Sequence, residues 1–372
     1  MALSSHVESV TLFLGINDGN VDGGDFERFT VCEVGFIRGF KLLNLVKAML
    51  VVRGVYLSKG LDVVHDTSGN LILYFVLARV RKYSCLLVSS FFTLERWRIE
   101  NVWKPAGYST FSLVTNPTTA RMLLGSWFQG MISKLADRIV LQAPGLVSRL
   151  TRYCDIDPKY ISVLTNNVDT CYWRPVGKDV PTGKAGPRKL LYVGGLDHTR
   201  GLFSVLNTLQ MCKNYGLNLC LTLVVKPGMM SEADIRAVVE KLGLSEEVVF
   251  KSGLTRQHMR DAYNESDILI YQTINDGSPR VVLEAISCGL PVIASRHPGI
   301  EILDPMKEFI QFTEFGDTEE MCHLIQSVLT DHVFATDVSI RGREKILKYF
   351  STEAVAQDYA HFYDQFVGSF RR

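Results

Sequence analysis

The sequence predicts an α/β protein whose carboxyl half forms one doubly wound parallel sheet, in a chain long enough for two or three domains. Two observations carry this. Short apolar runs alternate with helical patterns from Lys189 to Phe312, and the 372 residues are 47% hydrophobic, enough for two cores. A third narrows the class: no G-x-G-x-x-G occurs, which argues against a nicotinamide- or flavin-dependent dehydrogenase on the same architecture.

The predicted strands are Lys189–Val193, Asn218–Lys226, Val248–Lys251, Asp267–Tyr271, Pro291–Ala294 and Phe309–Phe312. Helical patterns separate them at Leu202–Lys213, Glu232–Leu242, Arg256–Asn264 and Pro279–Ser287. Each helix must cross back over the sheet, so the strands run parallel and ligands bind at their carboxyl ends. After the run Asp267-Ile268-Leu269-Ile270-Tyr271 comes a tight turn, Asp276-Gly277-Ser278-Pro279-Arg280. Ser278 is placed to N-cap a helix whose first residue is Pro279, and Gly289 is placed to end it. The N–H groups around Gly277 and Ser278 would then face an anion at a helix N-terminus. Asp276 in the turn and Glu284 in the helix bracket that position. An anion cradle beside a diol-binding carboxylate describes a nucleotide-sugar pocket.

In the amino half, Val10–Leu14 is the first apolar run that suits a strand, and Ser351 to Phe366 reads as a capped terminal helix. Gly183-Lys184-Ala185-Gly186-Pro187 has the composition of a hinge. Asp18-Gly19-Asn20-Val21-Asp22-Gly23 starts like a calcium loop, but its twelfth position is Phe29 where a bidentate Glu is required. No H-x-x-x-H or H-E-x-x-H occurs, so no catalytic metal is expected.

Net charge is +1, too small for a nucleic-acid partner to be expected. Residues 1–175 carry 19 Lys+Arg against 14 Asp+Glu and the remainder 21 against 25. The basic amino half suits an anionic lipid-phosphate acceptor or peripheral contact with a membrane face. The eight cysteines include no C-x-x-C pair, the pattern of reduced thiols in a cytoplasmic protein. No run of 18 apolar residues is present and no signal sequence opens the chain.

The spacing from Asp276 to Glu284, followed by Gly289-Leu290-Pro291-Val292-Ile293-Ala294, resembles the E-x7-E region of the retaining family-four glycosyltransferases of GT-B fold. Three further segments are similar to that family in the same order. Gly194-Gly195-Leu196-Asp197-His198-Thr199-Arg200-Gly201 resembles its G-R-L-x-x-x-K-G segment, with Arg200 in place of Lys and Gly195 in place of Arg. Asn166-Asn167-Val168-Asp169 with Trp173-Arg174-Pro175 resembles the close of its first domain. Leu61-Asp62-Val63-Val64-His65-Asp66 and Ala136-Asp137-Arg138-Ile139-Val140 resemble strand ends of its amino domain. The family's opening strand and glycine-rich loop have no clear counterpart, and the strand end that often carries a histidine has Ser89-Ser90-Phe91-Phe92.

The resemblance implies two Rossmann-like domains facing across a cleft, residues 1–175 for the acceptor and 176–350 for the donor, with 351–372 crossing back to the first. It implies transfer of a sugar from a UDP- or GDP-sugar type of donor to a glycan or lipid-linked acceptor, with retention and without a metal or other cofactor. Asp276 would contact the transferred sugar, and Glu284 would hold the ribose. Arg200, Gly194, Gly195, Gly277, Ser278, Pro279 and Arg280 would surround the diphosphate, with Asp276 and Arg200 as the catalytic groups. His65 is the candidate on the acceptor side. A nucleotide-sugar-binding subunit supporting a partner transferase is the alternative, favoured by the missing opening strand and histidine.

Overall fold

A computed structural model describes residues 11–16, 30–35, 41–67, 71–91, 117–177, 186–196, 198–226, 231–274 and 276–370. They fall into two compact units, Met1–Thr165 with Glu353–Arg372, and Asn166–Thr352. The calcium-like segment 18–23 and the hinge residues 183–185 lie outside the described residues.

In the amino unit, β1 (Thr11–Ile16) and β2 (Thr30–Gly35) pair in parallel as a two-stranded sheet. The elements α1 (Lys41–Lys59), β3 (Val63–Asp66), α2 (Ile72–Arg81), β4 (Leu86–Phe91), α3 (Pro117–Leu135), β5 (Arg138–Leu141), α4 (Gly145–Cys154) and β6 (Ile161–Val163) follow. Strands β3-β4-β5-β6 form one parallel sheet in that order. Alternation sets its two faces. Val64, Leu87, Ile139 and Leu141 pack with Ile72, Tyr74 and Phe75 of α2. Leu86, Val88 and Val140 point the other way.

The carboxyl unit continues the alternation: β7 (Arg188–Gly195), α5 (Leu202–Asn214), β8 (Leu219–Lys226), α6 (Glu232–Lys241), β9 (Val248–Lys251), α7 (Arg256–Glu265), β10 (Ile268–Tyr271), α8 (Arg280–Ser287), β11 (Val292–Ser295), α9 (Pro298–Glu301), β12 (Ile310–Thr313), α10 (Thr318–Thr330) and α11 (His332–Tyr349). All six expected strands and all four expected helices form, with small shifts at their ends. The sheet is entirely parallel, in the order β12-β11-β10-β7-β8-β9. Burial on both faces explains the near-continuous apolar strands Ile268–Tyr271 and Val292–Ser295, every residue of which is buried.

The last helix, α12 (Thr352–Phe370), belongs to the amino unit from Glu353 onward, where Phe362 seals the sheet face made by Leu86, Val88 and Val140. The break between units falls after Thr165, so Asn166–Pro175 belongs with the carboxyl unit and not with the amino domain as drawn from the sequence. Val168 shows why: its N–H donates to Phe350 O, and it bridges Ser351 in parallel. The thiols of Cys85, Cys154, Cys171, Cys212, Cys220, Cys288 and Cys322 are outside any disulfide. Those of Cys212 on α5 and Cys322 on α10 lie 3.0 Å apart in the core, where burial raises the Cys212 pKa and keeps it protonated.

Candidate functional site

The order of the carboxyl sheet locates the site. From β7 the chain builds outward through β8 and β9, then returns to the other side of β7 with β10 and builds outward again. The reversal lies between β7 and β10, and a doubly wound sheet opens a crevice at the carboxyl ends of such a pair. The loops leaving these two strands carry Arg200 and Asp276.

Arg200 ends a short 3-10 turn, His198–Arg200, after β7. Its Nη1 donates to Asp276 Oδ2 at 2.6 Å, to the Tyr271 hydroxyl at 3.1 Å and to Thr273 Oγ1 at 3.5 Å. The Tyr271 hydroxyl itself donates to Asp276 Oδ2 at 2.6 Å, and the Gly277 N–H donates to Oδ1 at 2.8 Å. Three donors therefore converge on one carboxylate. Its side chain remains 23% exposed and that of Arg200 30%. Tyr271 is buried, and desolvation followed by the Asp276 charge raises its pKa, so it stays a donor.

Glu284 sits in the second turn of α8, where its Oε2 accepts from the Tyr263 hydroxyl at 3.0 Å. Tyr263 lies in the core, its pKa raised by desolvation and next by the Glu284 charge.

The start of α8 differs from expectation. The helix begins at Arg280, Pro279 is its N-cap residue, and no side chain caps it. The Ser278 hydroxyl instead accepts from the Asn166 N–H at 3.3 Å, and Ser278 O accepts from Asn166 Nδ2 at 2.5 Å. A long-range partner thus replaces the local cap. The Gly277 N–H, expected to face an anion, is turned onto Asp276. Arg280 is exposed, with no ion-pair partner among the described residues. At the other end Gly289, at φ +72°, closes the helix as expected, with Leu290 N–H donating to Ala285 O.

Gly194 and Gly195 end β7. A Cβ at Gly194 would lie 2.8 Å from the Tyr192 hydroxyl, which sits 3.2 Å from both Gly195 O and Arg200 O and so braces the loop that presents Arg200. Ile274 N–H donates to Thr199 O at 3.1 Å and ties that loop to the one carrying Asp276. The side chain of His198 lies outside the described residues.

His65 ends up in a different chemical setting, in the amino unit. Its Nδ1 lies 2.7 Å from the Tyr363 hydroxyl of α12 and its Nε2 2.5 Å from Ser90 Oγ of β4. Desolvation lowers its pKa to about 4, so the ring is neutral.

Some contributors have no mark in the sequence. Tyr271 and Tyr263 come from an apolar run and an amphipathic helix, where a phenol passes as core. Gly299 is another: a Cβ there would overlap the carbonyl oxygens of Asp276 and Gly277, so only glycine lets α9 pack beneath the acidic turn. The Gly299 N–H donates to His297 Nδ1 at 3.1 Å. The only available signal was the Pro298-Gly299 pair following a buried strand.

Among the described residues no three His, Cys, Asp or Glu side chains cluster in a way that could hold a metal ion, and no helix is long and apolar enough to cross a membrane.

Residues 178–345, which span the acidic turn and its braces, match the family described as glycosyl transferases group 1. Over this segment, 168 of the 372 residues, the chain is similar to the group 1 glycosyltransferases, and its fold is GT-B. It is 22% identical over 257 residues to an alpha-maltose-1-phosphate synthase of Mycolicibacterium smegmatis, covering 64% of this chain and 66% of that relative's length. Among solved structures, a sucrose-phosphate synthase from Thermosynechococcus elongatus superposes with a TM-score of 0.75 at 19% identity, covering 99% of this chain and 91% of that one. Anabaena HepE in complex with UDP-glucose gives 0.66 at 15% identity, covering 91% and 88%. At these identities the superpositions establish the fold alone.

Proposed function

We propose that this glycosyltransferase moves a sugar from a nucleoside diphosphate donor to a glycan or lipid-linked acceptor, with retention at the anomeric carbon and without a metal. The observation that carries this reading is the meeting of Arg200 and Asp276 where the carboxyl sheet reverses, with Glu284 on the adjoining helix. The similarity of the fold to Anabaena HepE in complex with UDP-glucose supports the donor class.

Each group has a role that its chemistry suits. Glu284 accepts from the two ribose hydroxyls while Tyr263 holds its carboxylate in place. Asp276 accepts from hydroxyls of the transferred sugar. Arg200 meets the charge that grows on the departing diphosphate, aided by the positive end of α8 and by Arg280 at its first position. The bond from the anomeric carbon to the diphosphate oxygen breaks, and the acceptor oxygen forms the new bond from the same side.

A nucleotide-sugar-binding subunit without turnover is the second reading. It is favoured by His65, whose two ring nitrogens are both engaged by neighbours.

A thermal-shift screen of UDP-, GDP- and ADP-sugars identifies the donor, because a bound ligand raises apparent stability by mass action. Turnover of that donor, with and without a glycan or lipid-linked acceptor and in excess EDTA, then separates the readings. Acceptor-dependent turnover that survives EDTA is expected. Loss in EDTA restored by Mg²⁺ or Mn²⁺ overturns metal independence, and binding without turnover favours the subunit.

A further inference from the structure

The Arg200–Asp276 pair has a consequence for the order in which ligands leave. Asp276 Oδ2 takes Arg200 Nη1 and the Tyr271 hydroxyl, each at 2.6 Å, and Oδ1 takes the Gly277 N–H. Two of those donors, the guanidinium and the Gly277 amide, are the groups that an incoming diphosphate would use. A diphosphate must therefore draw them from a carboxylate that also repels it. In a site about one quarter to one third exposed, that competition is only partly screened.

An intact donor can compensate. Its sugar hydroxyls are hydrogen-bond donors and can take the places on Asp276 that Arg200 and Gly277 give up. A free nucleoside diphosphate carries no sugar and offers no such replacement. We propose that Asp276 discriminates between intact donor and spent nucleoside diphosphate by reclaiming Arg200 once the sugar has gone, so that the ion pair helps to expel the product. Tyr271 is the positioning residue of this exchange: its buried hydroxyl keeps the carboxylate in place while Arg200 is engaged elsewhere. The inference rests on the donor reading above and adds to it a role for Asp276 in product release.

The test is calorimetry on the full chain with UDP, GDP and ADP, and with UDP-glucose, GDP-mannose and ADP-glucose. The proteins are wild type, Asp276→Asn, Tyr271→Phe and Glu284→Gln, each checked for an unchanged melting temperature. Asn keeps the shape of Asp276 but not its charge. Asp276→Asn is expected to bind the preferred nucleoside diphosphate about tenfold more tightly, with a smaller gain or a loss for the intact donor. Tyr271→Phe is expected to move the other way, by about threefold, because Arg200 is left as the main partner of the carboxylate. Nucleoside diphosphate affinity that is unchanged or weaker in Asp276→Asn, or tighter in Tyr271→Phe, overturns the proposal. If Glu284→Gln alone weakens binding, the donor reading stands and this inference falls. If none of the six compounds binds any of the proteins, both fall.

Discussion

The carboxyl edges of the six-stranded and the four-stranded sheet carry opposite kinds of chemistry. At the larger sheet a charged pair, Arg200 and Asp276, is held by Tyr271 and Thr273, with the carboxylate of Glu284 on the adjoining helix. At the smaller sheet His65, Ser90 and Tyr363 form a neutral chain of hydrogen bonds, with burial holding the histidine uncharged. The first edge is built from loops after β7 and β10, strands adjacent in the sheet, and its two charged residues lie 76 positions apart in the chain. The second is closed by a helix that lies 298 residues further along. The charged pair stays partly exposed, whereas the network that holds a helix onto a sheet is kept neutral because a buried unpaired charge is costly.

The sharpest way to break this contrast is Arg200→Ala. Removing one electrostatic donor from a site where charge develops should lower turnover by about 10²–10³-fold, with a smaller effect on donor affinity. Steady-state kinetics with the identified donor checks it, and unchanged turnover would return Arg200 to a structural ion pair. Gly299→Ala comes next. The added Cβ pushes on the backbone oxygens of Asp276 and Gly277, and misplacing a reacting group by about 1 Å can cost about 10²-fold. Circular dichroism should show a folded protein with depressed turnover.

On the other side of the comparison, His65 predicts a pH effect on stability. Its folded pKa, about 4, lies below the ordinary value of 6.5, so below pH 6.5 the unfolded chain takes up a proton that the folded one refuses. Stability therefore falls as pH drops from 6.5 to about 4, by about 3 kcal/mol at most, and levels off below. Denaturant titrations should show this slope reduced in His65→Gln, and an identical slope in both proteins would contradict it. The smallest effect has the opposite sign from that at Gly299. Gly130 in α3 has open space where a Cβ would go, so Gly130→Ala should add about 0.5–1 kcal/mol of stability through helix propensity. The same substitution thus disables one unit and stabilises the other.

Legibility followed the same division. Asp276, Glu284 and Arg200 were named from local spacing and from the family resemblance of their short segments, and the structure brings Arg200 and Asp276 within 2.6 Å. The Ser278 cap was wrong because a long-range donor, Asn166, competes for the same hydroxyl, and no local rule contains that partner. His65 was legible as a residue at a strand end, but its partners were not, because Ser90 and Tyr363 reach it only through packing.

By itself the sequence determined the alternation of strands and helices, the parallel carboxyl sheet, and the acids and arginine at its edge. Those features arise from local hydrophobic period, turn chemistry and helix punctuation, each of which acts over a few residues. The tertiary structure decided which groups face one another. It placed β10 beside β7, so that Asp276 meets Arg200 from across the sheet's reversal, and it placed Gly299 under the acidic turn. It also assigned Asn166–Thr352 to one unit and the final helix to the other. Such pairings join residues far apart in the chain, and they are selected by burial of whole faces, a property no single segment carries.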